Sequence, residues 1–115
     1  MFLDDSVRLQ HMLQWSQSAV PFAQGKTRED LESDEMLVLS LVRCIEVVGE
    51  AASKITKVRQ AQLPQISWTQ VIGMRNRLVH GYFDVDLDIV WNTVTYNLPS
   101  LIVELEDIMG SEKQS

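Results

Sequence analysis

Five polar side chains that could act together in catalysis lie within eight residues of one another: Arg75, Asn76, Arg77, His80 and Tyr82. This set of groups suits the cleavage of RNA without a metal or another cofactor. A neutral imidazole can remove the proton from a ribose 2′-hydroxyl group, and a guanidinium can hold the phosphate and its developing negative charge. The amide of Asn76 can add a hydrogen bond that orients the phosphate or the imidazole.

The spacing of these groups limits how they can meet. Arg75 and His80 are five residues apart, which is about 140° around an ideal helix, so they do not share a helix face. They converge only if the helix unwinds near Gly81, or if a second copy of the chain completes the site. Arg77 and His80, three residues apart, are closer neighbours on one helix.

Apolar residues recur at helical spacing along almost the whole chain, which predicts four main helices. The first covers about residues 4–24, bends at Pro21 and ends at Gly25. The second is capped by Thr27, with Asp30 three residues further on, and its apolar stripe runs over about residues 31–58.

Pro64 separates the second helix from the third, which begins at a capping box of Ser67 and Gln70 and ends near His80. Asp86 caps the fourth helix, which Pro99 kinks. No stretch alternates with period two for long enough to predict a sheet. The pattern therefore predicts an all-α, up-and-down bundle of four to five helices. We expect one domain over residues 1–110 and a short polar tail over residues 111–115.

The charge of the chain is uneven. A net charge of −6 argues against a protein that coats nucleic acid, because phosphate binding draws on Lys and Arg. Residues 51–80, however, carry five basic side chains and no acid, whereas residues 84–112 carry seven acids and no base. A local basic face is therefore compatible with the acidic total, and transient contact with RNA stays open.

Composition also predicts the compartment. A single cysteine, Cys44, cannot form an internal disulfide and fits a reducing environment. No apolar run is long enough to span a membrane, and the first five residues are acidic where a signal peptide would be basic. We expect a cytoplasmic protein with no membrane partner.

The sequence resembles the HepT-like toxins of the HEPN superfamily. The central match is Arg75-x4-His80-x-Tyr82, which has the form of that family's Arg-x4-His-x-Tyr motif. Residues 43–52, with Gly49-Glu50-Ala51, resemble the family's stretch on the long helix. Further similarity covers residues 66–68, 72–76, 82–86, 90–91 and 98–99, so the resemblance extends over about residues 8–105.

The resemblance implies a helical bundle that pairs as a homodimer and brings two Arg-x4-His segments into one cleft. It implies a metal-independent endoribonuclease that leaves a 2′,3′-cyclic phosphate and acts as the toxin of a toxin–antitoxin system. The antitoxin would be a minimal nucleotidyltransferase that silences the toxin by transferring AMP to Tyr82. By position, Arg75 and His80 form the catalytic pair and Asn76 assists them.

Several residues have plainer interpretations. Arg75 could form a structural ion pair with Glu46 or Glu50 on the long helix, which would also aim its guanidinium. Arg43, Arg77 and Glu50 are candidates for supporting the site or binding RNA. We expect Trp68 and Trp91 to pack the bundle. We expect His11 to lie at the surface and Cys44 in the core. Alternate spacing could suggest a metal site, but helix capping and loop solvation explain it more simply for Asp84, Asp86 and Asp88.

Three functions compete at this stage. The first is a toxin ribonuclease acting on transfer or messenger RNA, which the complete set of Arg75, Asn76, His80 and Tyr82 favours. The second is a non-catalytic HEPN module that serves as a scaffold for a nucleotidyltransferase. The third is a nucleotide-binding regulatory bundle, with a base on Trp68 or Trp91 and a phosphate on Arg75.

Overall fold

A computed structural model describes residues 4–80 and 84–114 of the chain, without the side chains of His80 and of residues 112–114. About 80% of the backbone in these ranges is helical. The elements, in chain order, are α1 (Asp5–Ala23), α2 (Asp30–Ser33), α3 (Glu35–Ser53), α4 (Lys57–Gln62), α5 (Trp68–Ile72), α6 (Met74–Leu78), β1 (Val79–His80), β2 (Asp84–Val85), α7 (Leu87–Asn92), a π-helical turn (Thr93–Asn97) and α8 (Leu98–Gln114).

The core lies between the two 19-residue helices α1 and α3 and the helical segment that closes the bundle, α7 to α8. The side chains buried there are those at helical spacing along each element. They include Leu9 and Met12 of α1, Leu41, Ile45 and Val48 of α3, and Val94, Leu98, Leu101 and Leu105 of the last segment. Burying these stripes against one another holds the bundle together, and the predicted all-α bundle is confirmed.

Acidic side chains at the N-cap position form capping hydrogen bonds in three helices of the described ranges. Backbone N–H groups in the first turn of a helix have no partner within the helix, and a carboxylate at the N-cap can accept hydrogen bonds from them. Asp4 accepts from the Val7 amide at 2.9 Å, and Asp34 accepts from the Leu37 amide at 3.0 Å. Asp86 accepts from the Ile89 amide at 3.2 Å, which confirms its predicted role as the cap of the last helix.

The predicted second helix over residues 31–58 is wrong at both ends. It is interrupted at Asp34, whose side chain caps α3 rather than continuing α2. It then ends at Ser53, and a new helix, α4, starts after Thr56, whose hydroxyl accepts from the Arg59 amide at 3.2 Å. Ile55 lies in the turn between the two helices, and its side chain is buried. It therefore matches the predicted apolar stripe, although its backbone is not helical.

The predicted third helix is also wrong in two details. Ser67 occupies the N-cap position, but its side chain makes no capping hydrogen bond. The helix divides at Gly73 into α5 and α6 and ends at Leu78, two residues before His80. The backbone leaves the helix because Val79 pairs with Val85 in a short antiparallel ladder, and the Asp86 amide donates to the Leu78 carbonyl at 2.7 Å.

The last helical segment is continuous from Leu87 to Gln114 but contains the π-helical turn immediately before Pro99. Proline has no N–H to donate to the carbonyl four residues earlier, so the chain widens at this point instead of making a regular α-turn. The helix passes Gly110 without a break, and the backbone of residues 111–114 continues α8. No helix in the described ranges is long and apolar enough to cross a membrane.

Candidate active site

The position of α5 and α6 against the long helix α3 depends on Gly49. A Cβ atom added at Gly49 would lie 3.3 Å from the carbonyl oxygen of Val71 and 3.4 Å from that of Ile72. The absence of a side chain therefore allows the backbone at the end of α5 to lie directly on α3. This close contact fixes the position along the axis of α3 at which the following helix, α6, meets it.

Arg75 of α6 faces α3 and forms an ion pair there with Glu46. The Arg75 Nε atom lies 3.5 Å from Glu46 Oε2, and Arg43 Nη1 lies 3.9 Å from the same oxygen. The Arg75 side chain remains 53% exposed. Glu46 contacts Arg75 through Nε, and no other described residue forms an ion pair or hydrogen bond with Arg75. Among the described residues, its terminal guanidinium nitrogens are therefore left for an anionic ligand such as a phosphate.

Glu50, the second carboxylate considered for Arg75, lies elsewhere. Its side chain is exposed and borders a small cleft of about 130 Å³ between α1 and α3, together with Arg8, His11 and Lys54. Glu50 makes no ion pair within residues 4–80 and 84–114. The carboxylate that positions Arg75 is therefore Glu46, one helical turn before Glu50.

Arg77 lies on the other side of α6 and has a structural contact. Its Nη2 atom donates to the carbonyl oxygen of Gln70 at 2.7 Å, which satisfies a carbonyl group near the end of α5. Gly73 leaves room for this arrangement, since a Cβ there would lie 3.3 Å from Arg77 Nη1. Asn76, between the two arginines, is exposed on α6.

The backbone of His80 is extended and pairs with Asp84, so His80 does not follow the helical spacing that would hold it about 140° from Arg75. The helix was expected to unwind near Gly81 if Arg75 and His80 were to converge. It unwinds at Val79, two residues earlier. The side chain of His80 and the whole of Tyr82 lie outside the described residues.

The structural interpretations of Trp68, Trp91 and Cys44 agree with their environments. Trp68 and Trp91 are half-buried against the core, and Trp68 Nε1 donates to the Leu63 carbonyl at 3.0 Å. Cys44 is buried in α3, and this burial raises the pKa of its thiol. Among the described residues, no three His, Cys, Asp or Glu side chains are placed to hold a metal ion together.

Sequence comparison now identifies the class of protein. The profile of the family described as ribonuclease HepT-like matches residues 12–108. This match covers most of the chain and includes α3, α6 and the β1–β2 ladder. The chain belongs to the HepT-like ribonuclease family.

Individual relatives agree with the family. A protein of Caldanaerobacter subterraneus subsp. tengcongensis named as a candidate RNase is 31% identical over 105 residues, 91% of this chain and 94% of its own. One of Thermococcus cleftensis, named as a probable ribonuclease HepT, is 34% identical over 80 residues, 70% of this chain and 73% of its own. The mRNA nuclease HepT of Shewanella oneidensis is 26% identical over 91 residues, 62% of this chain and 68% of its own. No solved structure matches the chain.

Proposed function

We propose that the protein is the toxin of a toxin–antitoxin system: a metal-independent endoribonuclease that cleaves cellular transfer or messenger RNA. The observation that carries this proposal is the end of α6 at Leu78. It leaves Arg75 on a helix, held by Glu46, and turns the backbone at His80 into an extended segment. A guanidinium on a rigid helix and a histidine on an extended backbone segment are then released from the helical spacing that would keep them apart, and in the proposed site they approach the same phosphate.

In the proposed reaction, His80 accepts the proton of the ribose 2′-hydroxyl group as the 2′-oxygen attacks the adjacent phosphorus. The bond from phosphorus to the 5′-oxygen breaks, the leaving 5′-oxygen takes up a proton, and a 2′,3′-cyclic phosphate remains. Arg75 binds the non-bridging phosphate oxygens and stabilises their developing negative charge. Asn76, exposed one residue after Arg75, adds a hydrogen bond to the phosphate or to the imidazole.

The proposed enzyme is a homodimer with its site at the interface. Support comes from the outer face of α3, where Met36 and Leu39 are 80% and 61% exposed. These two residues lie on one helical stripe with Arg43 and Glu46, since all four are spaced by three or four residues. An apolar contact on this stripe would therefore adjoin the carboxylate that holds Arg75 and place two such sites side by side.

The proposed regulation is the transfer of AMP to Tyr82 by a minimal nucleotidyltransferase antitoxin. An adenylyl group on this tyrosine would add a negatively charged phosphodiester two residues from His80. It would occupy the phosphate position and repel an incoming RNA backbone without unfolding the bundle. Intact-protein mass spectrometry after co-expression with such a partner tests the modification, and Tyr82→Phe should receive no added mass.

The activity is tested by expressing the chain in a bacterial host without an antitoxin and analysing growth and total RNA. We expect the wild type to stop growth and to produce RNA fragments with 2′,3′-cyclic phosphate ends. Arg75→Ala and His80→Ala should lose about a hundredfold or more of the cleavage rate. Lys57→Ala, which removes an exposed cation from α4, serves as the matched control and should behave as the wild type.

If the wild-type protein is folded, carries no added mass on Tyr82 and leaves RNA intact, the ribonuclease proposal is wrong. The non-catalytic scaffold for a nucleotidyltransferase would then be the better interpretation. If Arg75→Ala and Lys57→Ala reduce cleavage equally, the loss is caused by the change in the net charge of the protein and not by the loss of a site at Arg75.

A further inference from the structure

A polar groove runs between α5–α6 and the segment from α7 to α8. It consists of two adjoining clefts of about 320 and 310 Å³ that share Gln70 and Asn97. We call it the amide groove and define it by Gln70, Arg77, Asn92, Tyr96 and Asn97. Its walls carry amides, an aromatic ring and a guanidinium beside apolar side chains such as Ile89 and Leu101, a mixture that suits the flat face and polar edge of a nucleotide base.

The π-helical turn builds one wall of this groove. Residues five apart lie about 140° from each other on an α-helix, but a π-helical turn joins residues five apart and brings them onto one side. Asn92 and Asn97 are five apart across this turn, and both border the same cleft. Neither amide makes a side-chain hydrogen bond to any part of the described chain, so both are available for a ligand.

The two ends of the groove differ in chemistry. At one end Tyr96 is 67% exposed, which leaves the ring available for stacking, and Glu104 lies in the same cleft. At the other end lies Arg77, whose guanidinium is fixed by the Gln70 carbonyl and forms no ion pair with a carboxylate of the described residues. A base therefore fits the Tyr96 end, and a phosphate fits the Arg77 end.

The amide groove and the proposed catalytic site lie on opposite sides of α6. Arg75 and Arg77 are two residues apart on this helix, about 200° around its axis. Arg75 reaches Glu46 on α3, whereas Arg77 borders α7 and the π-helical turn. An RNA strand that crosses the end of α6 beside His80 would place one of its phosphates near each arginine.

We infer that the amide groove binds one unpaired nucleotide of the RNA substrate, on the same strand as the bond that is cut and within a few nucleotides of it. Its base stacks on Tyr96, the edge of the base meets Asn92 and Asn97, and a neighbouring phosphate meets Arg77. The substrate is single-stranded at this position, because a base inside a duplex has both faces covered. This inference rests on the proposed function and specifies the form of RNA that the enzyme accepts.

The test measures RNA binding separately from cleavage, in a His80→Ala background that leaves the RNA intact. A fluorescein-labelled single-stranded oligoribonucleotide is titrated with this protein and followed by fluorescence anisotropy. Adding Tyr96→Ala should weaken binding at least about fivefold, the loss expected when one base is no longer stacked. Tyr96→Phe should bind as tightly as Tyr96, and Phe22→Ala, which removes a 48% exposed aromatic ring from α1, should change nothing.

A second measurement reports the stacking contact itself. An oligoribonucleotide with 2-aminopurine at successive positions should show quenching at one position, and Tyr96→Ala should abolish that quenching. A hairpin of the same sequence should bind more weakly than the single strand. The inference would be overturned if Tyr96→Ala bound the RNA as tightly as the protein that retains Tyr96. It would also be overturned if the hairpin bound as tightly as the single strand.

The two proposals fail in different ways. If the wild type cleaves RNA and Tyr96→Ala leaves cleavage, binding and quenching unchanged, only the nucleotide subsite is wrong. If the wild type does not cleave RNA but binding depends on Tyr96, the subsite stands and the ribonuclease proposal is wrong. A folded protein that binds no oligoribonucleotide overturns the subsite directly.

Discussion

The Nε atom of Arg75 lies 3.5 Å from Oε2 of Glu46, so a carboxylate of the long helix α3 fixes the direction of a guanidinium on the short helix α6. The same oxygen lies 3.9 Å from Nη1 of Arg43. One carboxylate thus serves two arginines from different helices, and it occupies only one edge of the Arg75 guanidinium. We treat Glu46 as a positioning residue that acts through Arg75.

Replacing Glu46 with glutamine should therefore lower activity more than stability. The amide keeps the size of the side chain but removes the charge that orients Arg75. We expect cleavage of RNA to fall about tenfold to a hundredfold, as for a catalytic group that is misplaced by about 1 Å. The free energy of unfolding should change by less than about 1 kcal/mol, because exposed ion pairs contribute little.

Single-turnover cleavage rates and urea denaturation of the same protein samples check both parts of the Glu46 prediction. Glu50→Gln is the matched control, since it removes an equal charge one turn further along α3 and should retain full activity. A loss of stability as large as the loss of transition-state stabilisation would contradict the positioning role. Equal activity losses in Glu46→Gln and Glu50→Gln would indicate an effect of net charge.

The helical bundle could be predicted from sequence because its signals are local. Apolar stripes, the Asp86 cap and the turn at Gly25, which has a φ of 77°, are all properties of short segments. The end of α6 was placed too late because it depends on the pairing of Val79 with Val85, across the segment that follows the helix. A helical pattern of apolar residues does not reveal such a pairing, since Val79 fits the stripe equally well.

The partner of Arg75 was left open for a different reason. Glu46 and Glu50 are four residues apart and lie on nearly the same face of α3, so periodicity does not distinguish them. The contacts of Gly49 and Glu46 show that the chain from α5 to α6 runs along α3 in the opposite direction. Arg75 therefore meets α3 about one turn before Gly49, at the position of Glu46. Only the packing of the helices carries this information.

Substitutions of Gly49 should reveal how closely α5 lies on α3. Gly49→Ala gains about 1 kcal/mol of helix propensity but crowds the Val71 carbonyl, so we expect a net change within about 1 kcal/mol. Gly49→Val adds two branched methyl groups at the same contact and should cost about 2 kcal/mol or more. It should also lower the cleavage rate, since α6 carries Arg75.

Urea denaturation monitored by circular dichroism measures the Gly49 effects, and Gly110→Val is the control for glycine at an open helix position. Apart from its chain neighbours and the backbone of its own helix, no atom of the described residues lies within 4 Å of a Cβ added at Gly110. If Gly49→Val is no more destabilising than Gly110→Val, the close approach of α5 to α3 does not exist in solution.

The Asp5 carboxylate should make the stability of the bundle sensitive to acid. Its two oxygens accept from the Thr56 hydroxyl at 2.7 Å and from the Thr56 amide at 3.0 Å, and these bonds hold the pKa of Asp5 below its ordinary value. Because the folded-state pKa is lowered, the stabilisation is complete above the unfolded-state pKa and is lost as the pH falls through the folded-state pKa. The site is solvent-accessible, so we expect about 1 kcal/mol or less.

Denaturation at pH 7 and at pH 3 compares Asp5→Asn with Asp107→Asn, which removes an exposed acid from α8. Asp5→Asn should be less stable than the wild type at pH 7, and the difference should shrink at pH 3. Asp107→Asn should follow the wild type at both values. A difference for Asp5→Asn that persists undiminished at pH 3 would mean that the charge of Asp5 does not contribute.

The outer stripe of α3 provides the test of the proposed dimer. Leu39 is exposed in the single chain and lies one turn before Arg43 on the stripe that continues to Glu46. If a second copy covers this stripe, Leu39→Glu replaces an apolar contact at the interface with a charge that must lose its hydration, and the protein should become monomeric at micromolar concentration. Light scattering after size-exclusion chromatography measures this directly.

The matched control for Leu39→Glu is Val58→Glu, which places the same charge on an exposed apolar position of α4, outside the α3 stripe. Val58→Glu should stay dimeric and active. Leu39→Glu should lose cleavage together with dimerisation while keeping its helical content, because the composite site needs both copies. A monomeric Leu39→Glu protein that cleaves RNA at the wild-type rate would show that one chain contains a complete site. Dimeric Leu39→Glu would place the interface on another face of the bundle, and the exposure of Met36 and Leu39 would need a different explanation.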